Sequence, residues 1–235
     1  MLRRFKNIVF VGTSHVSKDS LTEVEKTILK EKPNMVAIEL DKDRFLTMIH
    51  KRKKGSALKA IRQIGIKGYT FGILGAWLEK KISKVTKSSP GAEMKQAIKI
   101  AKKENIPIAL IDKDIKLTLK GISKNITWKE KIRFVREFLK VLFMKNKHRG
   151  FDISKVPTEE KISELTKQLK VFYPSLYKVL ITERDIHMSK GLYKIARDNT
   201  KVVAVVGAGH INGITNLLKK QEWSKKKQTG KKLNQ

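Results

Sequence analysis

The stretch that decides the fold is IVFVGTSH, Ile8–His15. Its opening residues are apolar and mostly β-branched, which is typical of a buried strand. A glycine turn then delivers a histidine shortly before a helix predicted over about 18–31. The arrangement recurs far down the chain as VVAVVGAGH, Val202–His210. Each copy predicts a buried strand and a histidine at the strand's carboxyl end, where open α/β sheets bind their ligands.

Two further apolar runs predict strands between these copies. Residues 35–40 read MVAIEL, and residues 106–111 read IPIALI. The first run follows the 18–31 helix, so its strand is expected to pair in parallel with the first strand, which brings His15 and Glu39 to one edge. We therefore predict an α/β fold with a central mixed or mostly parallel sheet and helices on both faces.

The domain organisation follows from where the apolar patterns start and stop. We predict one domain over 1–218, with a helical insertion over about 50–88 and a helical region over about 127–199. A basic tail over 219–235 holds seven Lys and one acidic residue and is expected to be frayed and solvated. The glycine-punctuated insertion fits a helical hairpin over the sheet, a lid, a membrane-surface helix or, through Gly55–Leu78, a homodimer contact.

The composition excludes several classes of protein. Cysteine is absent, which rules out a disulfide framework or thiolate metal site, so a cytoplasmic protein is expected. No apolar run reaches the roughly 20 residues that a membrane span needs. Membrane contact is therefore expected at a surface at most.

The net charge favours anionic partners. Lys and Arg number 53 against 22 Asp and Glu, which gives a formal charge of +31. Such a field attracts polyanions, including an anionic membrane surface. Nucleic acid is not favoured as a partner, because the sequence has no recognised nucleic-acid motif and no aromatic stacking platform.

Histidines and a glutamate are expected together at the sheet edge. Glu39 ends a buried strand, where an unpaired carboxylate costs several kcal/mol, so it either forms a structural pair or belongs to a site. Arg44 is its expected local counter-charge. Neutral imidazoles and carboxylates bind divalent metals, so His15 and His210 are candidate ligands. The alternative is that each histidine caps a helix or fills a gap at the sheet edge.

Charged residues also interrupt apolar segments further along. Adjacent helical residues point about 100° apart, so one or two of Glu183, Arg184 and Asp185 are expected to face inward. Asp112 and Asp114 follow the 106–111 strand. They are favoured as helix caps or backbone partners over metal ligands.

Several sequence blocks together resemble the TraB/PrgY proteins. That family is related to the Tiki peptidases and shares an α/β fold with erythromycin-esterase-like and heme-binding ChaN-like proteins. The blocks cover nearly the whole chain in family order: VGTSHVS (11–17), VAIELD (36–41) with Arg44, PGAEM (90–94), IDKDI (111–115) with Thr118 and Leu119, ERD (183–185) and VGAGH (206–210).

The resemblance implies a metal-dependent hydrolase, a peptidase that acts on peptides with a Mn, Co or Zn ion. His15, Glu39 and His210 are then the metal ligands, with Glu39 as an alternative general base. The alternative function is a non-catalytic protein of the same fold that binds a peptide or an anionic surface. The expected catalytic residues are His15, Glu39, Glu183, Arg184 and His210, and the expected substrate-binding residues are Arg44, Asp185, Gly12 and Gly207.

Overall fold

Five strands form one sheet in the computed structural model. The structure describes residues 1–13, 18–50, 61–66, 69–70, 72–73, 91–143 and 159–232. The strands are β1 (Leu2–Phe5), β2 (Ile8–Thr13), β3 (Met35–Ile38), β4 (Ile108–Leu110) and β5 (Val202–Gly207). Their order across the sheet is β1-β2-β5-β3-β4, with β1 antiparallel to β2 and every other pair parallel. The predicted α/β fold with a mixed sheet is confirmed.

Helices occupy most of the remaining described chain. They are α1 (Lys18–Glu31), α2 (Lys42–His50), α3 (Ala92–Lys103), α4 (Ile115–Asn125), α5 (Trp128–Phe143), α6 (Glu159–Phe172), α7 (Pro174–Tyr177), α8 (Glu183–Asp198) and α9 (Ala208–Lys232). A π-helical turn, Lys178–Thr182, joins α7 to α8. Within the predicted insertion the residues 61–66, 69–70 and 72–73 are helical, and most of its other residues lie outside the described ones. Among the described residues, no helix combines the length and apolar content that a bilayer crossing requires.

The basic tail differs from its expectation. Residues from 219 onward were expected to fray, but α9 continues to Lys232. Lys, Gln and Glu are good helix formers, and no proline interrupts this segment, so the helix that starts beside the sheet has no local reason to stop at Leu218.

The core lies on both faces of the sheet because the strand side chains alternate. Val9, Val11 and Val203 belong to the layer that also contains residues of α1 and α3. Phe10 and Ala204 belong to the opposite layer, with residues of α8 and α9. This period of two places helices on both sides of the sheet.

The expected pairing of β2 with β3 is wrong. β5 lies between them, pairing Gly12 with Val206 on one side and Ile38 with Val205 on the other. All six residues of β5 are buried, and its apolar side chains cover both faces, which suits a central position better than an edge. Glu39 therefore adjoins the end of β5 rather than the end of β2.

Two features of the amino-terminal hairpin were not predicted from the sequence. β1 contains adjacent arginines, which obscure its apolar pattern, and its residues alternate between exposed and half-buried. Gly12 has a packing reason to be glycine, since a Cβ there would lie 2.7 Å from Ile211 Cδ1. The glycine lets α9 approach β2 closely, and its expected contact with substrate stays a prediction.

Candidate functional site

Charged side chains from both halves of the chain meet at the carboxyl edge of the sheet. Glu39 directly follows β3, Asp112 follows β4, and His210 lies in the first turn of α9 after β5. Helix α8 contributes Arg184 and Asp185 from one side. We call these five residues the carboxyl-edge cluster.

Arg184 is the centre of the cluster. Its Nε and Nη2 donate to Asp112 Oδ1 and Oδ2 at 2.9 and 2.8 Å, a bidentate pair, and Nη2 also donates to Glu39 Oε1. Nη1 lies 3.1 Å from His210 Nε2 and 3.4 Å from the carbonyl oxygen of Leu180, in the π-helical turn. Only 16% of the Arg184 side chain is exposed. One guanidinium thus holds residues from β3, β4, α8 and α9 together.

Glu39 is buried and has partners at both oxygens. Oε1 accepts from Arg184, and Oε2 accepts from the backbone N–H of Gly207 at the end of β5. Burial alone would raise the pKa of Glu39, but electrostatic attraction to the neighbouring His210 and Arg184 outweighs it and lowers the pKa. Glu39 is therefore an ionised member of the cluster.

The structure corrects the prediction that Arg44 is the counter-charge of Glu39. Arg44 donates through Nε to Asp41 and through Nη2 to Asp112, while Arg184 is the partner of Glu39. Arg44 lies in the first turn of α2, close to Asp41. The Asp41 carboxylate also accepts from the Arg44 backbone N–H, and the guanidinium reaches Asp112 after β4. The expected role of Arg44 in substrate binding does not depend on its partner and stays a prediction.

Asp112 is the cluster residue that sequence reasoning missed. It accepts the expected backbone N–H of Lys113 at 2.8 Å, but its main partners are the two guanidiniums. Burial opposes ionisation, and the hydrogen bonds and charge of Arg184 overcome it, so the pKa of Asp112 is lowered. Its position after a predicted strand, equivalent to that of Glu39, was the available signal. Asp114 caps α4 as expected, accepting from Lys116 N.

Asp185 fixes the orientation of His210. His210 Nδ1 lies 2.6 Å from Asp185 Oδ1, and both side chains are buried. Arginine only donates hydrogen bonds, so His210 Nε2 accepts from Arg184, and the ring proton is assigned to Nδ1, which donates to Asp185. The Nε2 lone pair therefore faces the centre of the cluster. Burial is the main cause that raises the pKa of Asp185, although its bond with His210 opposes the shift.

The Glu183–Asp185 segment divides as its helical spacing predicts. Arg184 and Asp185 face inward, whereas Glu183 lies at the rim, where its carboxylate accepts from Lys113 Nζ at 2.6 Å. Its side chain is 29% exposed. Glu183 is therefore not a member of the carboxyl-edge cluster, and its catalytic role stays a prediction.

The expected metal ligands are only partly described. Glu39 Oε1 and His210 Nε2 lie 3.6 Å apart, a spacing that one divalent ion can bridge, and carboxylate with neutral imidazole is a suitable donor pair. The Nε2 lone pair that would bind the ion faces Arg184 Nη1, so binding requires this nitrogen to move aside. His15 lies outside the described residues, which by themselves offer no group of three ligands. The metal stays a prediction.

Gly213 on α9 leaves room for the Asp185 carboxylate, and this yields a test of the histidine's orientation. A Cβ at Gly213 would lie 1.9 Å from Asp185 Oδ2. We expect Gly213→Ala to displace Asp185, to weaken its bond with His210 and to lower the free energy of unfolding by about 1–3 kcal/mol. The measurements are denaturant unfolding and the ¹⁵N resonances of the His210 ring, which report the proton on Nδ1.

Gly191→Ala on α8 is the matched control. Its added Cβ would meet Ile111 Cγ2 at 3.7 Å, an ordinary contact. This variant should be neutral or more stable by up to about 1 kcal/mol, because alanine favours the helix. If Gly213→Ala keeps both the parental stability and the parental His210 spectrum, the close approach of α9 to Asp185 is not needed for the cluster.

Fold and site together define an α/β protein with an arginine-centred cluster of acidic residues and histidine at the carboxyl edge of its sheet. The TraB/PrgY/gumN family model matches residues 3–227, and the chain belongs to this family. It is 39% identical over 224 residues to the uncharacterized protein MJ1365 of Methanocaldococcus jannaschii, covering 92% of this chain and 54% of the relative. It is 25% identical over 235 residues to the TraB domain-containing proteins of Mus musculus and Homo sapiens, covering 88% of this chain and 61% of each. The chain thus spans little more than half the length of these relatives.

Proposed function

We propose that this protein is a hydrolase that cleaves peptides at the carboxyl-edge cluster. The observation that carries the proposal is the buried imidazole of His210, which Asp185 holds at Nδ1 while Nε2 faces Arg184 and Glu39. The carboxylate at Nδ1 fixes the tautomer and leaves the Nε2 lone pair facing the cluster, where it can accept a proton once Arg184 Nη1 releases it. The peptide as substrate follows from the resemblance to the Tiki peptidases.

Each member of the cluster has a task in this proposal. His210 Nε2 accepts the proton of the water as its oxygen attacks the scissile carbonyl carbon, and Asp185 stabilises the imidazolium that forms. The imidazolium then returns the proton to the leaving amine as the peptide C–N bond breaks. Arg184 Nη1, which neighbours Nε2 in the structure, donates to the oxyanion that develops on the scissile carbonyl. Glu39 and Asp112 hold the guanidinium in position. These roles need Arg184 Nη1 to exchange its bond with Nε2 for one with the substrate.

The expected divalent ion would polarise the scissile carbonyl in addition to Arg184. His15, Glu39 and His210 would hold the divalent ion, which supplies Lewis-acid chemistry when it is bound. When the ion is bound, His210 Nε2 would be a ligand rather than the proton acceptor, and Glu39 would be the alternative general base. Arg184 is the oriented cation in either case. Metal dependence is therefore tested separately from cleavage.

Peptide cleavage by the metal-stripped chain, with and without added Mn²⁺, Co²⁺ or Zn²⁺, tests the proposal. We expect cleavage of members of a diverse peptide library, and an increase of at least about tenfold with one of the ions, because a bound ion contributes several kcal/mol to charge stabilisation. Mass spectrometry of the products identifies the cleaved bonds. Equal cleavage with and without added ions would show that the reaction needs no metal, and the hydrolase proposal would stand without a cofactor. The proposal fails if no peptide is cleaved under any of these conditions.

One observation favours a second function, non-catalytic peptide binding. Arg184, Glu39 and Asp112 satisfy one another's hydrogen bonds, as residues of a purely structural ion-pair cluster do. A protein of this kind binds peptides at equilibrium without product formation. Calorimetric binding of library peptides that are recovered intact would favour it over the hydrolase.

A further inference from the structure

Helix α5 presents apolar side chains to solvent. In the part of this helix whose side chains the structure describes, Trp128–Glu137, the residues Trp128, Ile132 and Val135 are 75%, 64% and 54% exposed. Their spacing of four and then three residues places them on one side of the helix. We call these three residues the α5 stripe. A contiguous apolar surface of this kind marks an interaction site more often than scattered exposed residues do.

The opposite side of α5 attaches the helix to the rest of the protein through polar and aromatic contacts. Glu130 is buried and accepts hydrogen bonds from the backbone N–H groups of Ser175 and Thr127. Phe134 packs edge-on against Tyr173, with ring centroids 6.4 Å apart. The helix is thus held without the α5 stripe. Among the described residues these attachments come from the opposite side of α5, and the α5 stripe stays largely exposed, so its apolar character needs another explanation.

Basic residues flank the α5 stripe on both sides. At about 100° per residue, Lys131 falls on one side of the stripe, and Lys129 and Arg136 fall on the other. Lys131 Nζ also lies 4.5 Å from the centroid of the Trp128 ring. Arg136 pairs with Glu137 at 3.5 Å, so the charge of the flank is partly offset there. An apolar stripe with tryptophan at one end and a cationic border is the composition of helices that lie in the surface of an anionic bilayer.

We propose that the α5 stripe docks onto an anionic lipid bilayer. The three apolar side chains enter the boundary between headgroups and acyl chains, while Lys129, Lys131 and the long stem of Arg136 reach the lipid phosphates. The formal charge of +31 draws the whole protein to such a surface, and the α5 stripe determines which face meets it. This interaction is independent of the proposed hydrolase activity.

Vesicle binding by the full chain tests the proposal. In a Trp77→Phe/Trp223→Phe background, Trp128 is the sole tryptophan and reports its own surroundings. Vesicles of mixed phosphatidylglycerol and phosphatidylcholine should shift the Trp128 emission to the blue, and brominated acyl chains should quench it. Ile132→Ser/Val135→Ser should weaken partitioning by at least about tenfold, since two apolar side chains no longer leave water on binding.

Leu117→Ser/Val171→Ser is the matched control, because these residues are 55% and 70% exposed on other helices. It should bind vesicles like the parent, and neither pair of changes should alter the thermal unfolding temperature. The proposal is overturned if both variants bind equally, or if Trp128 emission is unchanged on bound vesicles, since the net charge alone then accounts for binding. A self-association that the Ile132→Ser/Val135→Ser variant loses, without Trp128 reaching lipid, would also overturn it and identify a second copy as the occupant.

Discussion

Arg184→Gln is expected to destabilise this protein by about 3–5 kcal/mol, since it leaves two buried carboxylates without their main partner. Asp112 loses a bidentate pair, and Glu39 loses the donor at Oε1. The glutamine keeps much of the length of the arginine but supplies no charge. Denaturant unfolding of the metal-stripped protein measures the change.

Two further variants determine the source of this loss. Arg197→Gln lies on the same helix, and its side chain is exposed, so its stability should match that of the parent. Arg184→Lys should recover only part of the loss, because an ammonium cannot reproduce the bidentate contact with Asp112. A loss below about 1 kcal/mol for Arg184→Gln would contradict the prediction, as that is the range of exposed ion pairs.

The pH dependence of stability gives an independent readout of the same pair. The pKa of Asp112 is lowered from its usual 3.8, so the ion pair contributes fully above that pH and is lost as the pH falls through the folded-state pKa. The parent should therefore lose stability on acidification below about pH 4, and Arg184→Gln should lose less of it. Equal acid sensitivity of both proteins would show that the Arg184–Asp112 pair is not its source.

His210→Ala is expected to lower peptide cleavage by about 10²–10⁴-fold, the usual contribution of a positioned acid or base. The variant removes the Nε2 lone pair that faces Arg184, and with it the proton acceptor of the proposed reaction. The measurement is kcat/KM of the metal-stripped protein on a peptide that the parent cleaves under the same conditions. Circular dichroism of each variant establishes that the fold is retained.

Asp185→Asn tests whether cleavage needs the orientation of the His210 imidazole and not only its presence. It leaves the imidazole in place but replaces the carboxylate that accepts from Nδ1, so a loss of about 10–100-fold is expected. His187→Ala is the matched control, since His187 is exposed on α8 and should leave cleavage unchanged. Parental cleavage by folded His210→Ala would exclude His210 from catalysis. If His210→Ala loses affinity for Mn²⁺ as well as cleavage, His210 is a metal ligand. If its affinity for Mn²⁺ is unchanged, His210 acts only as the base.

Much of the cluster was predictable because local signals mark its members. Glu39 and His210 each follow an apolar run that the sequence predicts as a parallel strand. The carboxyl ends of parallel strands share one edge of the sheet, and both residues lie at that edge. The three adjacent charges of Glu183–Asp185 cannot all face solvent on a packed helix, and two of them point inward. Asp112 has the same placement after a strand, but its short motif also suits helix capping, which Asp114 alone performs.

Partners were harder to predict than positions because they depend on strand order. The sequence suggested that Glu39 pairs with the nearby Arg44, whereas Arg184, at a separation of 145 residues, is its partner. This follows from β5, which inserts between β2 and β3 and so places the helices on either side of it in the chain, α8 with Arg184 and α9 with His210, beside the end of β3. Strand order reflects how the buried faces of all strands pack together, and no single segment carries that information.

The sequence by itself determined the elements of this protein: apolar runs, helical periods and a histidine or acidic residue soon after each parallel strand. These are local properties, set by side-chain periodicity and by the cost of burying an unpaired charge. Only the tertiary structure decided that Arg184 joins Asp112, Glu39 and His210, and that α5 turns its apolar stripe to solvent. Both features depend on contacts between segments that are far apart in the sequence, and the packing of the whole chain determines which of these contacts form.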